Sequence, residues 1–305
     1  MQVQGDQSSA GATAKPMRLA LLGVGMMGGS AAQAWRAAGQ VSQVVGFDVD
    51  GAALQTALAG GVIDEAAPSA AQAVAAADVV LLAVPVGAMA EVLAHIAPTL
   101  PAQVLITDLG STKASVIAAA REHLSAQQLV HFVPAHPIAG AERSGVAAAD
   151  AALFAQRWVI LTPQPGVDAQ AVLRIEQIWR ACGARIERMS ADEHDQMFAA
   201  VSHLPHLLAY ALMACIGEQA QGQRALQFAG AGFRDFTRIA ASSPPMWRDI
   251  ALANQAALSA QLARYREILA RMQAQLDAGN GVQLHALFEQ ASQLRGQLAG
   301  VGHER

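Results

Sequence analysis

Five short stretches of the chain concentrate residue types that can do chemistry. The first, Gly23-Val-Gly25-Met26-Met27-Gly28, is a G-x-G-x-x-G motif with Asp48 twenty residues after its last glycine. Where such a loop follows a strand and opens a helix, it cradles a pyrophosphate. Gly23 permits the tight turn, Gly25 lets the backbone approach the phosphates, and Gly28 lets helix and strand pack closely. The helix N-terminus adds free N–H groups and a partial positive charge. Asp48 would accept hydrogen bonds from the adenosine ribose, and its carboxylate would repel a 2′-phosphate. NAD is therefore expected over NADP. An alternative for Asp48 is a helix cap. The other stretches are Asp108-Leu-Gly-Ser111-Thr-Lys113, His136-Pro-Ile-Ala-Gly-Ala-Glu142-Arg-Ser-Gly145, Ser202-His203-Leu-Pro-His206 and Gly230-Ala-Gly-Phe-Arg234-Asp235-Phe-Thr-Arg238-Ile239. They supply imidazoles for proton transfer and guanidinium forks for carboxylates.

Positioning these groups requires two kinds of scaffold. Short apolar runs at Arg18–Leu22, Val44–Phe47, Val79–Val84 and Val104–Thr107 alternate with alanine-rich helical segments near Met27–Ala38, 52–59, 70–77, 88–97 and 113–123. Such alternation predicts βαβ units and a parallel sheet, whose strands are covered on both faces and so read as continuous apolar runs. Trp158–Thr162 and Ala184–Arg188 are later strand candidates. After Arg188 no convincing strand follows. Ser190 and Glu193 have the S-x-x-E form of a capping box, and helical segments are expected near 191–219, 223–232, 247–276 and 282–298. Pro205 predicts a kink or a helix start. The predicted architecture is α/β: a Rossmann-type doubly wound parallel sheet over 17–188, then an all-α dimerisation and substrate domain over 189–305. The first 16 residues are polar and small and read as a disordered tail, not a secretory signal.

Bulk properties exclude several function classes. The 305 residues carry a formal net charge of -4, with 53% hydrophobic and 14% charged residues. No basic face suggests nucleic-acid binding. The longest apolar stretch, 73–90, is interrupted by Asp78 and Pro85, so no membrane span is expected. Cys182 and Cys215 form neither CxxC nor metal spacing, which fits a reduced, cytoplasmic enzyme with no metal. The helical half, at about 115 residues with few charges, is too small to bury its apolar faces alone, which predicts a homodimer.

Taken together, GVGMMGGS, DLGSTK, HPIAGAERSG, EHDQ at 193–196, SHLPH and GFRDFTRI resemble the prephenate/arogenate (cyclohexadienyl) dehydrogenases, in the family's order and over roughly 17–300. The resemblance implies NAD-dependent oxidative decarboxylation of prephenate, or of its amino analogue arogenate, in tyrosine biosynthesis. It places His136 as proton acceptor, a role suited to an imidazole of ordinary pKa about 6.5; the alternative is a loop histidine beside Pro137. Ser111 falls near the reacting hydroxyl and the nicotinamide, with an N-cap of a helix starting near Thr112 as a second role. Arg238 matches the substrate-carboxylate arginine, and His203 and His206 lie against the ring or side chain. Glu142 and Asp235 match acids lining the mouth of the site. Met26, Met27, Val84, Pro85, Asp108 and Ser111 complete the cofactor contacts with the three glycines and Asp48. Met246 and Trp247 are expected at a helix start, the aromatic packed in a dimer core.

One rival, a β-hydroxyacid dehydrogenase, requires a lysine from the helical half. This chain has only Lys15 and Lys113. A nucleotide-binding sensor without turnover would not need His136, Ser111, His203 and Arg238 together. The ending at Arg305 leaves no room for an added regulatory module of about 70 residues, so inhibition by tyrosine is expected at the active site.

Overall fold

The computed structural model describes residues 16–140 and 143–298. Among the described residues nine strands run in chain order: β1 Met17–Leu22, β2 Val41–Phe47, β3 Glu65–Ala66, β4 Val79–Leu82, β5 Leu105–Asp108, β6 Phe132–Val133, β7 Ala135–Pro137, β8 Trp158–Leu161 and β9 Arg185–Arg188. The helices among them are α1 Met26–Ala37, α2 Gly51–Ala59, α3 Ala70–Val74, α4 Met89–Ile96, α5 Ala114–His123, α6 Ala126–Leu129 and α7 Ala169–Ala181. Beyond Arg188 come α8 Ala191–Phe198, α9 Leu204–Gly217, α10 Gly222–Leu226, α11 Ala231–Thr237, α12 Pro244–Ala253, α13 Gln255–Asp277 and α14 Gly281–Leu298.

Six strands form one all-parallel sheet in the order β3-β2-β1-β4-β5-β6, the doubly wound topology. Along β1, Leu19 and Leu21 enter the apolar layer beneath α1 and α7. Ala20 and Leu22 enter the opposite layer beneath α3, α4 and α5. All four are fully buried, so an alternating strand reads as an unbroken apolar run. In the first layer Trp35 and Phe154 meet Trp179 edge-on, with ring centroids 5.3 and 5.0 Å away.

Three features depart from the sequence-based expectation. The two-residue strands β3 and β6 are too short to carry a periodic signal. β7, which holds His136, pairs antiparallel with β8 in a second, three-stranded sheet that β9 joins in parallel. The segment expected as one helix over 191–219 contains a π-helical turn at Ala199–His203, with Pro205 in the first turn of α9. Pro205 has no N–H to offer the preceding turn, which fits a helix that restarts there.

The described chain forms two compact units, one ending at Asn254 and the other beginning at Gln255. In the first, Asp195 and Asn254 tie the helices of 191–254 to one another and to α5. The second unit is a hairpin of α13 and α14, turned at Gly279 with φ +61°. The stretch Ala191–Gly217 is apolar and long enough, by composition, to cross a membrane. It nevertheless buries His194, Asp195 and His203 within the first unit. The expected tail over 1–16 lies, Pro16 apart, outside the described residues, as does Glu142.

Candidate functional site

The carboxyl ends of the parallel strands define a crevice, the usual ligand position in such sheets. Gly23 follows β1, Ala83 and Val84 follow β4, Leu109–Ser111 follow β5, and Pro134 leads from β6 into β7. Gly23 holds φ +95°, and a Cβ there would sit 2.5 Å from the Ala83 carbonyl oxygen. A Cβ on Gly28 would sit 2.4 Å from the Gly23 carbonyl oxygen, whereas one on Gly25 meets nothing within 4 Å. Two glycines thus close the turn against its own backbone, and the third leaves an open cradle. Gly25 caps α1 without a side-chain bond, so the first N–H groups of that helix have no side-chain cap. These are the features a pyrophosphate requires, and the residues fit NAD.

Asp48 organises the same loop. Its Oδ2 accepts the Val24 N–H at 2.7 Å and its Oδ1 the Asp50 N–H at 2.9 Å. Each oxygen keeps a lone pair for a ribose hydroxyl. Met26, Met27 and Val84 are half-buried and Pro85 is exposed along the cradle. Asp108 departs from its expected role. Its carboxylate is fully buried, taking the Lys113 ammonium and the Gly110 and Ala135 N–H groups, and so is not presented to a cofactor. Lys113 also donates to the Ala135 carbonyl at 2.6 Å. Burial pulls the Lys113 ammonium below its usual value, against the opposing pull of Asp108. The pair fixes the backbone immediately before His136.

His136 is half-buried on β7, its Nδ1 2.8 Å from His194 Nε2. Phe198 and His194 flank its ring edge-on, with centroids 4.9 and 5.0 Å away. Burial first, then His194, Lys113 and His203, hold its pKa well below 6.5. His194 Nδ1 lies 2.8 Å from Asp195 Oδ1. Asp195 also takes the Lys113 N–H on Oδ1 at 2.8 Å and the Ala114 N–H on Oδ2 at 2.9 Å. A carboxylate on α8 thus caps α5, at 82 residues' separation from Lys113. Burial alone would raise the Asp195 carboxyl; the bonds from His194, Lys113 and Ala114 bring it below its usual value. Ser111 lies half-buried in the loop just before this helix, which begins at Ala114. The expected Ser111 cap is therefore replaced by Asp195.

His203 closes the π turn and is 1% exposed. Its Nδ1 lies 3.1 Å from Asn254 Nδ2, which donates to the Asp195 carbonyl at 2.7 Å. Its Nε2 has no hydrogen-bond partner among the described residues. Burial first lowers its pKa to about 4; Asp195 and the Ser111 backbone oppose, and His194 and His206 add to the lowering. One turn on, His206 Nδ1 bonds the Ser202 carbonyl at 2.9 Å, and its ring stacks on Trp247 at 3.6 Å. Trp247 also meets His203 edge-on at 6.1 Å. Within the chain, Trp247 sits between the two histidine rings. Burial lowers His206, the Ser202 carbonyl opposes, and Arg238 lowers it further. Arg238 lies exposed in the turn after α11, and Asp235 lies exposed on α11.

A continuous run of contacts therefore links His136, His194, Asp195, Asn254, His203, Trp247 and His206, with Arg238 near enough to act on His206 through its charge. It can accept one proton at a neutral imidazole, donate hydrogen bonds and present a cation. Sequence reasoning placed His136, His203, His206 and Arg238 but gave His194, Asp195 and Asn254 no role. The EHDQ stretch was the available signal for the first two, since an adjacent His and Asp early in a helix can serve distant partners. Asn254 carried none.

The family model described as "Prephenate dehydrogenase, nucleotide-binding domain" matches residues 31–188, and "Prephenate dehydrogenase, dimerization domain" matches 190–290. The chain is 37% identical over 279 residues to a cyclohexadienyl dehydrogenase of Zymomonas mobilis, covering 91% of this chain and 94% of that one. It is 40% identical over 243 residues to a prephenate dehydrogenase of Bacillus subtilis, covering 77% of this chain and 63% of its relative. Among solved structures, prephenate dehydrogenase from A. aeolicus in complex with hydroxyphenyl propionate and NAD+ superposes with a TM-score of 0.87. It is 30% identical, with 95% of this chain and all of that one covered.

Proposed function

Because the chain belongs to the prephenate dehydrogenase family and is an NAD-dependent oxidoreductase, we propose the following division of labour in the oxidative decarboxylation of prephenate. Bound at the glycine loop, NAD supplies the hydride acceptor. Gly23, Gly25 and Gly28 shape its cradle, Met26, Met27, Val84 and Pro85 line it, and Asp48 holds the adenosine ribose. Asp48 is followed by Val49 and Asp50 with no arginine, so a 2′-phosphate would meet carboxylates alone and NAD is preferred over NADP.

His136 takes the proton of the ring hydroxyl as hydride leaves the same carbon. The ring carboxylate then departs as carbon dioxide, its bonding electrons completing the aromatic ring. Since aromatisation drives the reaction, the residues need mainly to align the ring and accept one proton. Ser111 orients the hydroxyl beside His136. Arg238 forks onto one carboxylate, and His203 and His206 hold the rest of the dianion against the Trp247 platform. Asp235 bounds the mouth. The observation carrying this reading is His136 itself: an imidazole beside the strand-end crevice whose surroundings keep it neutral and so ready to accept.

The helical part is proposed to form a homodimer. Val201, Phe228 and Leu252 of the first unit, and Leu276, Val282 and Phe288 of the second, are more than half exposed. Residues 17–188 then act as the nucleotide-binding half and 189–305 as the substrate and dimer half of a cytoplasmic enzyme. NADH absorbance with prephenate or arogenate, and with NAD or NADP, tests the reading. Turnover with prephenate and NAD is expected; binding of NAD without turnover of either substrate refutes it. Light scattering that shows a monomer at micromolar concentration refutes the dimer.

A further inference from the structure

We infer that Asp195 sets where the protons sit on both site histidines, so that His136 presents a bare Nε2 and His203 an Nε2–H to the substrate. This rests on the reading of His136 as base. An ionised carboxylate only accepts hydrogen bonds. Asp195 Oδ1 therefore places a hydrogen on His194 Nδ1 at 2.8 Å, leaving His194 Nε2 as the acceptor of a neutral ring. The 2.8 Å contact from that Nε2 to His136 Nδ1 then needs the hydrogen on His136. With Nδ1 occupied, the lone pair of neutral His136 lies at Nε2, the atom free to take the hydroxyl proton. The reverse placement would put hydrogens on both His194 nitrogens, a cation in a ring that is fully buried. Asp195 is itself immobilised by the Lys113 and Ala114 N–H groups.

The second arm leaves from the main chain of the same residue. Asn254 Nδ2 donates to the Asp195 carbonyl at 2.7 Å, which fixes the amide orientation, because a flipped amide would set oxygen against oxygen. The remaining Nδ2 hydrogen points to His203 Nδ1 at 3.1 Å, so that atom accepts and the ring hydrogen sits on Nε2. His203 Nε2–H is then a buried donor that completes no hydrogen bond among the described residues, the Ser111 backbone acting on the ring only weakly. Leaving such a donor unmet is costly. A carboxylate or carbonyl oxygen of the dianionic substrate would satisfy it. Asp195 and Asn254 are positioning residues, since both act through histidines.

The test is long-range 1H–15N correlation on the full chain labelled with 15N-histidine, with ring signals assigned from His136→Gln and His203→Gln. The expected result is hydrogen on Nδ1 of His136 and on Nε2 of His203. His194→Phe removes the acceptor, and kcat should fall by about 10²-fold, the scale of a positioned base. His194→Gln, which retains an acceptor oxygen, should recover part of that loss. Asn254→Asp puts an acceptor opposite His203 Nδ1. The ring hydrogen should move there, and KM for prephenate should rise about tenfold with a smaller change in kcat. Asp195→Asn keeps the main-chain carbonyl, so it should disturb the His136 ring alone and leave the His203 hydrogen on Nε2; if it does not fold, the two single arms still decide. Hydrogen on Nε2 of His136 in the parent protein, or on Nδ1 of His203, overturns the inference. A fully active His136→Asn would instead overturn the base assignment and leave the ring hydrogens as a separate result.

Discussion

Acid should destabilise this protein through His203, by an amount that can be worked from the structure. The folded chain holds this imidazole neutral down to about pH 4, whereas an unfolded chain protonates it near its usual 6.5. Between those values the unfolded state binds the extra proton, so stability present above pH 6.5 is lost as pH falls toward 4. Each pH unit in that window removes about 1.4 kcal/mol, so lowering pH from 7 to 5 removes about 2 kcal/mol from this group alone. His136, His194 and His206 are also lowered and add losses of the same sign. Comparison with His203→Gln isolates the single contribution. Urea unfolding of both proteins, at equal protein concentration and at pH 7 and pH 5, provides the assay. The parent should lose about 2 kcal/mol more than the variant over that interval. Equal losses would mean that His203 is no more shielded in the folded state than in the unfolded one, and the reasoning fails.

Three further outcomes follow from the site. His136→Asn should lower kcat by about 10²–10⁴-fold while NAD binding, read by fluorescence titration, stays near the parent value; a parent-like kcat refutes the base. In the pH profile of kcat/KM the acidic limb should lie below 6.5, because burial and the neighbouring His194, Lys113 and His203 disfavour protonated His136; a limb at or above 6.5 contradicts this. Lys113→Met should cost about 3–5 kcal/mol by thermal or urea unfolding, since it strands the fully buried Asp108 charge, and the Lys113→Met/Asp108→Leu double variant should recover most of it. A double variant less stable than the single one would refute the pairing.

Much of the sheet was legible because parallel strands are apolar on both sides: Leu19 through Leu22 needed no partner to be recognised. The glycine loop was equally legible, as each glycine answers a steric demand that sequence spacing expresses. β7 was not, because His136-Pro137 carries no strand pattern and is strand only through its antiparallel pairing with β8. His136, His203 and Arg238 could be marked by residue type within recognisable motifs. The links between them could not, because Asp195 reaches Lys113 across 82 positions and Asn254 reaches His203 across 51. Asp108 misled for a related reason: a carboxylate at a strand end looks ligand-facing until the buried lysine over it is seen.

The widened turn at Ala199–His203 makes the aim of His203 and His206 depend on local winding as well as on residue identity. One residue in a regular helix spans about 100° of rotation. Winding the same residues as a regular helix would swing the His203–His206 side relative to the His194–Asp195 side by about that angle, so the wide turn absorbs one residue and keeps the two sides in register. Val201 is 67% exposed, a place where helices usually tolerate change. Here Val201 is exposed while Ala199 is buried, and a change that regularised the winding of this turn would shift one group of histidines against the other without replacing any of them.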